Sequence, residues 1–99
     1  MTMSKKLEGR KLSVAIEGCL DTLTSPDLEA KLMPALNGVE TLLIDLKDLA
    51  YISSAGLRVL VSAAQSMDAQ NGEIRIVNAN PDVRNIFKMT GLISVLGVE

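Results

Sequence analysis

Asp45-Leu46-Lys47-Asp48-Leu49-Ala50-Tyr51-Ile52-Ser53-Ser54-Ala55-Gly56-Leu57-Arg58 is the stretch on which the reading of this chain turns. It reads as the end of a buried strand, a short loop, and two adjacent serines at the mouth of a helix. A serine hydroxyl in that position has two uses. It caps the helix by accepting from a first-turn N–H, or it accepts a phosphate whose charge the helix N-terminus stabilises. Residue pattern alone leaves both open, and Gly56 in the first turn allows either close helix-on-sheet packing or the approach of another chain.

Downstream, Leu57, Leu60, Val61, Ala64 and Met67 recur at helical spacing, so a helix is expected from about Ser54 to Ala69, closed by Asn71-Gly72. Upstream, Thr41 to Leu46 is a dense apolar run, the pattern of a central strand. Leu12, Val14 and Ile16 alternate with Ser13, Ala15 and Glu17, a strand with one wetter face. Lys5 to Gly9 can pair with it through a turn at Gly9-Arg10.

Gly18 to Thr24 reads as a loop. Ser25-Pro26-Asp27, with Glu29, then starts a helix, Ser25 serving as the expected cap. Its stripe is Leu28, Leu32, Ala35 and Leu36, and Pro34 predicts a kink or an end near Met33. Glu73 to Asn78 alternates as a strand. Asn80-Pro81-Asp82 opens a third helix with Val83, Ile86, Phe87 and Met89 on its inner face, and Ile93 to Leu96 is expected as a last short strand.

The resulting order, β, β, α, β, α, β, α, β, requires right-handed crossovers and a mostly parallel central sheet behind an N-terminal hairpin. Alternation in two strands places the helices mainly on one face. Ninety-nine residues suit a single domain, 1–99.

Composition narrows the function. The chain has no His, which removes Ser-His-Asp and Cys-His catalysis, and no phosphate-cradling glycine loop occurs. No enzyme, cofactor or metal site is expected, so the catalytic, cofactor and metal assignments are empty. Net charge is −2 with dispersed cations, and Phe87 and Tyr51 are the only aromatics, so nucleic-acid binding has no basis. The lone Cys19 fits a reducing compartment. With no apolar run near about 20 residues and no signal-peptide core, a cytoplasmic protein without membrane association is expected.

Three pieces together resemble the STAS family (sulfate transporter and anti-sigma factor antagonist), in its bacterial single-domain anti-sigma factor antagonists. They are Gly18-Cys19-Leu20-Asp21, then Leu43-Ile44-Asp45-Leu46 with Leu49 and Ile52-Ser53-Ser54-Ala55-Gly56-Leu57, then Val83 through Phe87 with Thr90-Gly91-Leu92. The resemblance implies the STAS-type β-α superhelix and a partner switch. In that switch an anti-sigma factor that is also a serine kinase binds the unphosphorylated protein and frees a sigma factor. Phosphorylation breaks the complex, and a PP2C-type phosphatase resets it.

Carried onto this chain, the resemblance makes Ser54 the phosphoacceptor. The binding face would comprise Asp21, Thr22, Ser53, Ala55, Gly56, Leu57 and Arg58. Ser53 stands where the best-known antagonists often have Asp, and Ala55 where a second Ser is common. Other readings weighed against this are a bare helix cap at Ser54, an Asx turn at Asp21, a phospho-aspartate receiver on Asp45, and a constitutive STAS scaffold subunit that is never phosphorylated.

Overall fold

A computed structural model describes all residues, Met1–Glu99. The N-terminal hairpin forms as expected: β1 (Thr2–Glu8) runs antiparallel to β2 (Lys11–Leu20), joined at Gly9-Arg10, where Gly9 takes φ +62°. β3 (Thr41–Asp45) and β5 (Glu73–Val77) extend the sheet in parallel, in the order β1-β2-β3-β5. Leu12, Val14, Ile16, Leu42, Ile44 and Ile76 are buried, while Ser13, Ala15, Leu43, Asp45 and Val77 on the opposite face are half-buried. The helices therefore pack mainly on one face, and the fold is the expected α/β arrangement.

β2 is longer than its alternating core suggested. Gly18 to Leu20, read from sequence as loop, continues the strand and pairs in parallel with β4 (Leu49–Ile52). Gly18 sits at φ +90° next to a register shift, so the strand bends there and proceeds to bury Leu20 completely. The segment before the two serines is thus a short strand, not the loop expected.

The opposite correction applies at the other end. Ile93 to Leu96 is not a strand: Leu92 and Leu96 N–H groups bond back to Phe87 and Leu92, coiling the segment, and only an isolated bridge joins Val98 to Ile76. Leu96 is nonetheless fully buried, which explains its apolar signal.

The helix α1 (Ser25–Leu32) passes into a 3-10 turn over Met33–Leu36, so Pro34 ends the α-helix as expected. Its cap differs from expectation. Thr24 holds the cap position, but its hydroxyl accepts from no N–H of the helix, and Ser25 is the first helical residue, buried, its hydroxyl donating to the Asp21 carbonyl.

The second helix, α2 (Ser54–Ala69), matches its expected span and buries Leu57, Leu60, Ala64 and Met67, with Val59 and Ala63 added where α1 lies alongside. Gln70 closes its end by donating to the Leu36 and Val39 carbonyls at 2.7 Å each.

The third helix, α3 (Pro81–Met89), is capped as expected by Asn80, whose Oδ1 accepts from Val83 N–H at 2.8 Å while its amide donates to Leu49 O. Val83 and Phe87 are buried; Met89, expected on the inner face, is 77% exposed. No helix is long and apolar enough to cross a membrane.

Candidate functional site

The start of α2 is held by β4 on one side and β2 on the other. Ser53 N–H donates to the Leu20 carbonyl at 2.8 Å, anchoring the loop to the end of β2. Ser53 is extended (φ −95°, ψ 174°), and its hydroxyl oxygen accepts from Gly56 N–H at 3.3 Å. Ser53 is therefore the cap. Ser54, the first residue of α2, is exposed, and its hydroxyl makes no hydrogen bond within the chain. The two uses of a serine at a helix mouth fall to two different residues.

Gly56 explains why the helix starts so close to the sheet. A Cβ there would lie 2.7 Å from Leu20 Cγ and 2.9 Å from Ile52 Cγ1. Gly56 and Leu57 are both buried and seat the helix on the core. Ser54, Ala55 and Arg58 remain accessible from the same two turns.

The turn from Asp21 to Ser25 lies beside them, because it follows directly from Leu20. Asp21 Oδ1 accepts from Leu23 N–H and Thr24 N–H at 2.9 Å each, and from the Thr24 hydroxyl at 3.1 Å. The hydrogen bond from Thr24 N–H is the main reason the carboxyl is held below the usual aspartate range, with Leu23 N–H adding to it. This is an Asx-type turn, so Asp21 has a structural role beside any contact it makes. Thr22 is exposed on the turn.

Three of the residues singled out in the sequence, Thr22, Ala55 and Arg58, line one open groove of about 700 Å³ between α1 and α2. From α1 and the turn after it, Pro26, Glu29 and Met33 complete the wall. Two exposed residues close in sequence to the site escaped the sequence reading. Leu23 is 87% exposed at the tip of the Asp21 turn, and Tyr51 is 51% exposed in β4 just before the serines. Each is a large side chain exposed to water within two residues of a candidate site residue. The signal for Leu23 was there to be used: an apolar residue inside a hydroxyl-rich turn has no core to enter.

No acid occurs in the first turn of α2, so its N-terminal N–H groups face no carboxylate of their own helix. Asp45 is occupied structurally, accepting from Lys47 N–H at 2.9 Å and Asn78 Nδ2 at 3.1 Å. No group of three or more His, Cys, Asp or Glu side chains is placed to hold a metal ion.

With this geometry in place, the family model of the STAS domain matches residues 3–99. The chain belongs to the STAS domain family. BtrV of Bordetella bronchiseptica, a STAS relative named for an anti-sigma factor antagonist role, is 33% identical over 99 residues, covering 99% of this chain and 84% of its own. The anti-sigma-B factor antagonist of Bacillus subtilis is 31% identical over 88 residues, 89% of this chain and 81% of that one. In three dimensions the fold is similar to the anti-sigma factor antagonist SpoIIAA in its unphosphorylated form, with a TM-score of 0.86 at 21% identity, covering 99% and 88% of the two chains. These relatives carry the names of regulators of other proteins, not of catalysts. The family and the fold expected from sequence are borne out.

Proposed function

We propose that this STAS domain is a bacterial anti-sigma factor antagonist, a non-enzymatic switch working in the cytoplasm through one phosphorylatable hydroxyl, Ser54. In the unphosphorylated state its face around Asp21, Thr22, Ala55 and Arg58, extended by Leu23 and Tyr51, docks an anti-sigma factor that is also a serine kinase, and a sigma factor is released. The kinase then modifies Ser54, and a PP2C-type phosphatase removes the phosphate. The observation carrying this reading is the division of labour between the serines: Ser53 accepts from Gly56 N–H and maintains the helix, leaving the exposed Ser54 hydroxyl free.

The physics of release follows from that geometry. A phosphate adds about −1.5 to −2 charge at pH 7. At the first residue of α2 it meets unpaired N–H groups and the positive end of the helix dipole, so the domain keeps its fold. The same charge would stand at the edge of the docking face, next to Ala55 and one turn from Arg58, where a docked partner has displaced water. Unmatched charge in such a contact costs a few kcal/mol, about a hundredfold in affinity.

Pull-down from the native cytosol with Ser54→Ala and Ser54→Asp proteins tests this. The alanine form should retain the kinase partner, and the aspartate form should lose about a hundredfold in affinity. Incubating the parent with that partner and ATP should add one phosphate to Ser54 by mass. Equal binding by the aspartate form, or no mass gain at residue 54, sinks the reading.

A further inference from the structure

The chain has four arginines, and three are engaged. Arg10 pairs with Glu40, while Arg75 pairs with Glu99 and Arg84 donates to the Glu99 main-chain oxygen. Arg58 is exposed and makes neither an ion pair nor a hydrogen bond. It is also the only cation of α2, and it follows Ser54 by four residues. Side chains so spaced on a helix share a face, about 5–6 Å apart at Cβ, and the pair is favourable when the anion is the N-terminal member.

Its surroundings leave it available. The only acid of α2 is Asp68, at the far end of the helix. Across the groove, Glu29 of α1 is the one charged side chain that lines the same wall, and it forms no ion pair with Arg58. Asp27 of α1 is already tied to Lys31 at 3.1 Å. An unmodified Ser54 therefore leaves a free guanidinium in the mouth of the groove.

We infer that Arg58 is the positioning residue that reads the state of Ser54: a phosphate on Ser54 draws the guanidinium one turn back along α2 and out of the groove. The guanidinium fork matches two phosphate oxygens, and such charge-assisted pairs are stronger than neutral ones. Phosphorylation would then alter the docking face twice, by adding charge at its edge and by withdrawing the one cation it presents. This rests on the reading of Ser54 as the acceptor, and it adds the residue that transmits the modification to the groove.

The test uses full-length protein carrying phosphoserine at position 54, installed during translation, with the phosphate titrated by phosphorus NMR. In the parent, Arg58 should hold the second phosphate pKa about half a unit below its value in an Arg58→Gln protein. In roughly 1 M salt the two curves should converge, because the pair is exposed to solvent. Coincident curves at low salt, or a gap that persists undiminished in high salt, overturn the inference. No kinase takes part in this measurement, so it can fail while the mass gain at Ser54 succeeds, and the reverse.

Discussion

The two helices that wall the groove begin in opposite ways. At the start of α1 the cap residue and the first helical residue both have committed hydroxyls: Thr24 Oγ1 donates to the Cys19 carbonyl and accepts from Asp21 N–H, both at 2.9 Å, and the buried Ser25 hydroxyl donates to the Asp21 carbonyl. At the start of α2 a single long hydrogen bond, 3.3 Å, from Gly56 N–H to Ser53 holds the cap, and the Ser54 hydroxyl has no partner. Each helix has a hydroxyl at its cap and at its first residue, yet only in α2 does the first residue have one to spare. The difference teaches that a reactive position in this fold is marked less by residue type than by what the neighbours have left unsatisfied. α1 is secured by polar bonds; α2 is secured by packing at Gly56.

Breaking that packing should have the largest effect. In an exposed helix Gly→Ala gains up to about 1 kcal/mol. Gly56→Ala should do the reverse and destabilise by about 1–3 kcal/mol, because the new methyl meets Leu20 Cγ at 2.7 Å and Leu20 is fully buried, with no room to yield. Urea unfolding reads the sign directly. A gain in stability would mean that the α2 start is not seated as described.

The polar side of the comparison is sharpened by two alanine substitutions. Ser25→Ala removes a buried donor and should cost about 1 kcal/mol, moderated because the Asp21 carbonyl still accepts from Ser25 N–H at 2.9 Å. Ser54→Ala removes nothing that is bonded and should stay within about 0.5 kcal/mol of the parent. If the two cost the same by denaturant titration, the contrast between committed and free hydroxyls is lost.

Much of this contrast was legible before the fold was known, and the illegible part has a physical reason. α2 and α3 announced themselves through apolar spacing, and the caps at Ser53 and Asn80 follow from the side chains that precede each helix. Strands were harder. Leu49-Ala50-Tyr51-Ile52 and Ile93-Ser94-Val95-Leu96 are similar short apolar runs, but only the first finds an open partner, the bent end of β2 beyond Gly18. Availability of a partner is a property of the whole sheet and leaves no local trace. For the same reason the sequence pointed to Ser54, Asp21 and Arg58 but could not show that Gly56 and Leu57 face inward, or that Leu23 faces outward. Successive residues on a helix are turned by about 100°, so which of them face out depends on where the sheet and the other helix lie.

The smallest effect should come from charge at the Asp21 turn. Its carboxyl titrates below the usual aspartate range in the folded protein because Thr24 N–H, chiefly, and Leu23 N–H bond the ionised form. In the unfolded chain it titrates near its ordinary value of about 3.9. A depressed folded pKa means the unfolded state takes up the proton first. The carboxylate's contribution is therefore fully present above about pH 4 and is lost as pH falls from there through the folded pKa. Asp21→Asn keeps an oxygen that can accept from the same N–H groups but has no charge to lose. Its Tm should lie below that of the parent at pH 6, and the gap should close as the pH is lowered toward 2. A gap that stays constant across that range would show that the turn depends on the shape of residue 21 and not on its charge, which would make the α1 start a purely neutral network.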